Sequence, residues 1–358
     1  MDTGSDARAM MLVEPKHFSM TTIPTTDVEG GGWLAVEATS ISGADVQVWS
    51  GEARDVVYPL IPGHEVVGRI ATSSPNIPYP VGTRVVVEPR MHCGECHRCL
   101  NNLATCARRR PINSYGFIPS TEPPGLWGGL AETLYLDPSA RVHEVTDDVP
   151  AEVATFVHPL AAGHSWAVEL PLLQPGEDVM ILGPGPRGLA CLIAAKAAGA
   201  RWVGISGLSH DRDRLDLALR LGADVAVDIE TTDLAGAIAE AIGRRPDVLV
   251  DVTSNDPEAV FTALDLVRSG GRVVLASTKG NRAFHFLSDV IVAKQLTIRG
   301  AMSATTVGYQ WAARQLETDP RIDDLVSHQF PLSEAPRALQ AAAGLLGREE
   351  LISVAVTF

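Results

Sequence analysis

Long apolar runs are missing from this sequence. The best, Leu189 to Ala195, stops at Lys196, far short of the roughly 20 apolar residues that a membrane helix requires. Positive charge is also in short supply. Lys and Arg number 29 against 43 Asp and Glu, a net charge of −14, which argues against a sequence-independent grip on nucleic acid or on a membrane and points to a small-molecule partner. The first ten residues, MDTGSDARAM, are acidic and lack the apolar run of a secretion signal. The reducing cytoplasm is therefore the expected compartment, and disulfides are not expected.

What is present is soluble globular composition over 358 residues, enough for two domains. To about Leu160, short β-like runs (Trp33 to Val36, Val66 to Ile70, Arg84 to Glu88) alternate with Pro- and Gly-rich turns, which predicts an irregular, mostly β domain. From about Glu177 apolar runs alternate with helical segments at Gly188 to Ala198, Arg212 to Leu221 and Glu258 to Val267. That alternation predicts an α/β unit with a doubly wound parallel sheet. Two further helices are expected, at Val307 to Leu316 and Glu334 to Leu346, before a β-like tail, ISVAVTF, that returns to the first domain. The expected division is 1–160 with 301–358, and 161–300.

Gly183, Gly185 and Gly188 form G-x-G-x-x-G directly after the strand VMIL and before an Ala-rich helix. In that context the glycines allow a tight turn, the approach of a pyrophosphate to the backbone, and close packing of helix on strand. Pro186, Arg187 and Leu189 belong to the same dinucleotide turn. The second strand ends Ser206-Gly207, where a carboxylate would select NAD. Gly207 lacks one, and Ser209 and Arg212 follow, so the cofactor is NAD or NADP with an inclination to NADP. Asp211 and Asp213 interrupt those bases and fit a solvated first helical turn equally well.

Cys93, Cys96, Cys99 and Cys106 stand in the frame C-x2-C-x2-C-x6-C, which predicts a closed, structural four-thiolate zinc site in a lobe spanning 90–110. Arg90, Arg98 and the run Arg108 to Arg110 are placed to offset its net negative charge. Cys191, on the apolar helix, reads as a buried small hydrophobe.

Gly63-His64-Glu65, the cysteine lobe, GGLAETLYL, HPLAAGHSW, GPGPRGL, RLGAD, SGGRVVLAS and LTIRGAM follow one another in order. With them the chain resembles the zinc-containing medium-chain dehydrogenase/reductase family, which includes alcohol, polyol and threonine dehydrogenases. The resemblance implies a GroES-like catalytic domain joined to a Rossmann domain, hydride transfer between a nicotinamide cofactor and a small alcohol or carbonyl, and a homodimer or homotetramer. It also implies a catalytic zinc, and there this sequence departs from the family pattern. Ser42-Gly43-Ala44-Asp45 replaces the family's Cys-Gly-Ser/Thr-Asp, Gln47 takes a place often held by a relay His, and His158 stands where polyol dehydrogenases carry Glu.

Two readings of the site follow. Either His64, Glu65 and His158, with Ser42 or water, hold a rebuilt zinc centre with Asp45 orienting His64. Or the zinc is absent, and hydride passes to an electrophile such as a conjugated C=C or an iminium, with His158 or His64 as proton donor. A redox-neutral epimerase retaining its NAD(P) is a variant of these. A nucleotide-binding sensor with a decayed site is the non-enzymatic alternative. Trp49, Tyr115 and Trp127 are either aromatic walls for the substrate or ordinary packing residues, while His17, His143 and His164 read as structural.

Overall fold

The computed structural model describes residues 6–72, 75–101, 106, 114–280, 283, 285, 288–347 and 351–358. Contacts divide the chain into two compact units, Met1–His158 with Ala313–Phe358, and Pro159–Ala312. The run Arg108 to Arg110 lies outside the described residues.

The chain opens with an antiparallel ribbon of β1 (Asp6–Glu14) and β2 (His17–Pro24). Next come β3 (Gly32–Ile41), α1 (Gly43–Ser50), β4 (Glu65–Thr72), β5 (Arg84–Val87) and α2 (His97–Leu100). They are followed by β6 (Thr133–Leu136), β7 (Val142–Glu144), α3 (Ala151–Ala154) and α4 (Val157–His164). The β-like runs of the sequence thus become strands, and the longest apolar stretch among them, β3, is buried at eight of its ten positions. It lies inside the sheet, paired with β4 along one edge.

The second unit alternates strand and helix as the sequence predicts: β8 (Asp178–Leu182), α5 (Pro186–Ala197), β9 (Trp202–Gly207), α6 (Arg212–Arg220), β10 (Val225–Asp228), α7 (Leu234–Ile242), β11 (Val248–Asp251), α8 (Glu258–Leu266), β12 (Arg272–Leu275), α9 (Asp289–Lys294) and β13 (Thr297–Gly300). Its sheet is parallel throughout, in the order β10-β9-β8-β11-β12-β13. Every residue of β8 and β11 is buried, which is why these strands read as unbroken apolar runs rather than alternating ones. At the start of β8, the buried carboxylate of Asp178 receives Arg201 at 2.5 Å and Arg244 at 2.6 Å. Asp247, just before β11, receives Arg268 at 2.6 Å and accepts from the Asp178 amide at 2.9 Å.

The chain ends with α10 (Thr306–Thr318), β14 (His328–Pro331), α11 (Ala335–Ala342) and β15 (Val354–Thr357). The tail does return to the first unit: β15 runs parallel to β14 and antiparallel to β3. The last helix stops earlier than its apolar pattern suggests, because Gly344 turns the chain at φ +73°. α7 is absent from the sequence reading, although Asp233 caps its start and left-handed Gly243 its end.

Trp49, Tyr115 and Trp127 all lie in the core of the first unit, where the Trp127 ring meets Tyr135 edge-on at 4.8 Å. Of the two roles open to them, pocket wall and packing residue, this burial favours packing. Among the described residues no helix is long and apolar enough to cross a membrane.

The segment Gly128-Gly129 backs the turn that carries His64. Gly129 N donates to Gly63 O at 2.7 Å and Leu130 N to Pro62 O at 2.9 Å. A Cβ on Gly128 would sit 1.8 Å from Ile61 O, a backbone atom with no flexible side chain to yield. Gly128→Ala is therefore expected to destabilise the protein by roughly 1–3 kcal/mol or more, read as a lowered melting temperature; an unchanged melt would show that the two segments part without cost.

Candidate active site

In the first unit the chemistry gathers around one carboxylate. Asp45 lies in the first turn of α1, and its Oδ2 accepts from the backbone N and the hydroxyl of Ser42, both at 2.8 Å. Ser42 Oγ in turn accepts from the Ala44 amide at 3.1 Å and more weakly from that of Asp45 at 3.4 Å. Together they make a reciprocal capping box. The other carboxylate oxygen, Oδ1, accepts from Gly63 N at 3.1 Å and faces His64 Nδ1 at 3.2 Å. Both side chains are buried. Burial alone would push the Asp45 carboxyl up; the charge of His64 and the hydrogen bonds from His64 and Ser42 overcome it and hold the carboxyl below its ordinary value. An ionised Asp45 keeps a proton on His64 Nδ1.

The remaining candidates lie around this pair. His64 Nε2 is 3.9 Å from Glu65 Oε1. The other Glu65 oxygen takes a short hydrogen bond from the Ser40 hydroxyl. Phe117 lies 5.5 Å from the His64 ring. His158, buried, has Nε2 at 3.4 Å from Val66 O. Gln47 is half-buried in α1, and its carbonyl accepts from the Glu52 and Ala53 amides at 3.0 Å. As arranged, His64, Glu65 and His158 do not present a closed ligand set: the thiolate of the family pattern is missing, the Ser42 hydroxyl caps α1, and Glu65 is held by Ser40.

The four cysteines do present one. Among the described residues they form the one group of three or more His, Cys, Asp or Glu side chains whose ligand atoms lie within 4.8 Å of one another. Their sulfurs stand 3.4 Å (Cys96 to Cys99), 3.8 Å (Cys93 to Cys99) and 4.0 Å (Cys96 to Cys106) apart. A tetrahedral ion with Zn–S bonds of about 2.3 Å spaces its ligands by about 3.8 Å, so the set fits zinc. Cys96 also caps α2, accepting from the Cys99 amide. Cys191 is buried on α5, where the apolar surroundings push its thiol up to about 12, in keeping with a packing role.

In the second unit the glycine turn has the expected form. Gly183 adopts φ +104°, a left-handed conformation, and its amide donates to Ser206 O at 2.9 Å. A Cβ on Gly188 would fall 1.9 Å from Gly183 O, whereas one on Gly185 would meet nothing within 4 Å. The turn is thus closed behind and open in front, and Pro186 starts α5 with its amide-bearing end facing the opening. The residues present fit the pyrophosphate of a dinucleotide. Arg187 lies over the Trp166 ring at 5.3 Å, and Leu189 is buried.

At the end of β9, a Cβ on Gly207 would press on Pro184 Cγ at 2.6 Å, so packing against the dinucleotide turn accounts for the glycine. Ser209 Oγ donates to Asp228 Oδ2 at 2.7 Å, and its amide donates to Glu230 Oε2 at 2.8 Å. The hydrogen bond from Ser209 holds the Asp228 carboxyl below its ordinary value. These two carboxylates, supplied from the end of β10, were not anticipated from sequence. Arg212 is exposed at the start of α6.

His143 pairs with Glu88 at 2.9 Å, and His164 pairs with Glu169 at 3.0 Å while stacking on Trp311. His17 pairs at the surface with Glu14 at 3.0 Å.

Residues 30–147 match the family described as alcohol dehydrogenase GroES-like domain, and residues 186–318 the family described as zinc-binding dehydrogenase. The "Probable alcohol dehydrogenase adh" of Mycobacterium tuberculosis is 38% identical over 362 residues, covering 99% of this chain and 95% of that protein. The erythritol/L-threitol dehydrogenase of Mycolicibacterium smegmatis is 30% identical, covering 90% and 89%. An alcohol dehydrogenase from Thermotoga maritima superposes with a TM-score of 0.89 at 25% identity, over 99% of this chain and 100% of that one. With its GroES-like first unit and its Rossmann second, the chain belongs to the zinc-type medium-chain alcohol dehydrogenase-like family of NAD(P)-dependent oxidoreductases.

Proposed function

We propose that this enzyme oxidises a secondary alcohol, or reduces the corresponding ketone, with NAD as its hydride carrier and with His64 moving the proton. The observation that carries the reading is the buried contact of 3.2 Å between His64 Nδ1 and Asp45 Oδ1. It orients the imidazole and stabilises the imidazolium that forms when Nε2 takes the hydroxyl proton of the alcohol. The bound nicotinamide supplies the acceptor for the hydride that leaves the carbinol carbon. The balance is one hydride to the cofactor and one proton to His64 Nε2, and reduction runs the same transfers backward. Assembly as a homodimer or homotetramer in the cytoplasm belongs to this proposal.

Zinc held by His64, Glu65 and His158 is the competing reading, favoured by the 3.9 Å approach of His64 Nε2 to Glu65 Oε1. Against it stand the capping role of Ser42 and the bond from Ser40 to Glu65. The proposal gives zinc to the cysteines alone. NAD is preferred to NADP because Asp228 and Glu230 flank Ser209, placing negative charge where a 2′-phosphate would have to sit.

Three outcomes are expected. Elemental analysis of protein purified without added metal gives one zinc per chain, lost in Cys96→Ser; two per chain would establish the His64, Glu65 and His158 centre instead. His64→Gln lowers kcat by roughly 10²–10⁴ with NADH affinity retained, and an undiminished kcat would remove His64 from the proton path. With a secondary alcohol that turns over, kcat/KM is higher with NAD than with NADP, and Asp228→Asn narrows the gap; a preference for NADP would defeat the assignment.

A further inference from the structure

Zinc bound by four thiolates has no open position and carries two excess negative charges. An imidazole beside such a set is therefore left outside as a hydrogen-bond donor rather than admitted as a fifth ligand. His92 occupies that place. Its Nδ1 lies 3.6 Å from Cys99 Sγ, within sulfur hydrogen-bond range. The neighbouring sulfurs of Cys96 and Cys93 lie 3.4 and 3.8 Å from the same atom. The segment that leads into His92 is anchored. Met91 is buried in the core, Arg90 bridges to Ser114, and the Tyr115 amide donates to Pro89 O at 2.8 Å.

We propose that His92 donates its Nδ1–H to the Cys99 thiolate and is a positioning residue of the zinc lobe, drawing charge off the sulfur and slowing loss of the metal. The inference rests on the reading that the cysteines hold zinc. Donors of this kind, one bond removed from the ion, typically change metal affinity by roughly 10–100-fold when removed. His92 is half-buried, so it also covers the approach of a chelator to Cys99.

The test is zinc transfer from the full-length, zinc-loaded protein to the chromophoric chelator 4-(2-pyridylazo)resorcinol, compared among wild type, His92→Ala, His92→Phe and His92→Asn. The Asn side-chain amide places an N–H close to that of Nδ1, while Phe keeps the ring without a donor and serves in its own right if the alanine variant does not fold. The expected result is release roughly tenfold or more faster in the Ala and Phe variants and a near wild-type rate in Asn. In cobalt-substituted protein, the sulfur-to-cobalt charge-transfer band shifts in Ala and Phe and not in Asn. Equal rates in all four proteins, or an Asn variant as fast as Ala, would overturn the hydrogen-bond role. A wild-type protein that holds no zinc in the lobe would overturn the reading on which the inference rests, and the two failures are told apart by the wild-type zinc content.

Discussion

A single buried carboxylate determines how the first unit can work. Asp45 closes the amino end of α1 through Ser42, fixes the Gly63 turn through its amide, and faces the His64 imidazole, using both oxygens. A helix cap contributes about 1 kcal/mol, whereas a hydrogen bond to a charged group contributes about 1.5–3 kcal/mol. The contact with His64 is thus the stronger constraint, and the cap follows from where it puts the carboxylate. Ser42 has a structural task at a position where relatives by sequence pattern carry a metal ligand: its hydroxyl serves α1.

In the second unit charge and glycine divide the sheet between them. At the amino ends of β8 and β11, the paired carboxylates of Asp178 and Asp247 gather three arginines. At the carboxyl end of β8 the turn from Gly183 to Gly188 is open at Gly185, which leaves backbone amides for a phosphate. Ion pairs thus tie β8 to β11 at one end, while the other end presents the glycine turn. A parallel sheet needs this asymmetry, because its ligands bind beyond the carboxyl ends of its strands.

Much of this was legible in the residues. The cysteine frame, the glycine turn and the returning tail are local or periodic signals, and each is found where the sequence places it. The inclination to NADP rested on Gly207 and on the Ser209 and Arg212 that follow it. It omitted the packing of Pro184 on that glycine and the arrival of Asp228 and Glu230 from the neighbouring strand, which are contacts across the sheet rather than along the chain. Ser42-x-x-Asp45 has the spacing of a capping box, at the position where the family pattern puts a metal ligand. His92 carries no pattern of its own, since a histidine beside a cysteine frame gains meaning only from the 3.6 Å that separates it from Cys99. The aromatic residues stayed open between two roles because a Trp or Tyr in a Pro- and Gly-rich stretch reads alike whether it lines a pocket or fills a core.

The place of β15 has a consequence for how the molecule is made. The strand pairs on one side with β14 and on the other with β3, so the first sheet lacks an interior member until Val354–Thr357 has left the ribosome. The whole of Pro159–Ala312 emerges earlier and holds every strand of its own sheet. The second unit thus draws its sheet from one continuous stretch of chain, whereas the first cannot complete its own until a strand more than 300 residues further on is laid beside β3, part of whose edge stays bare without it.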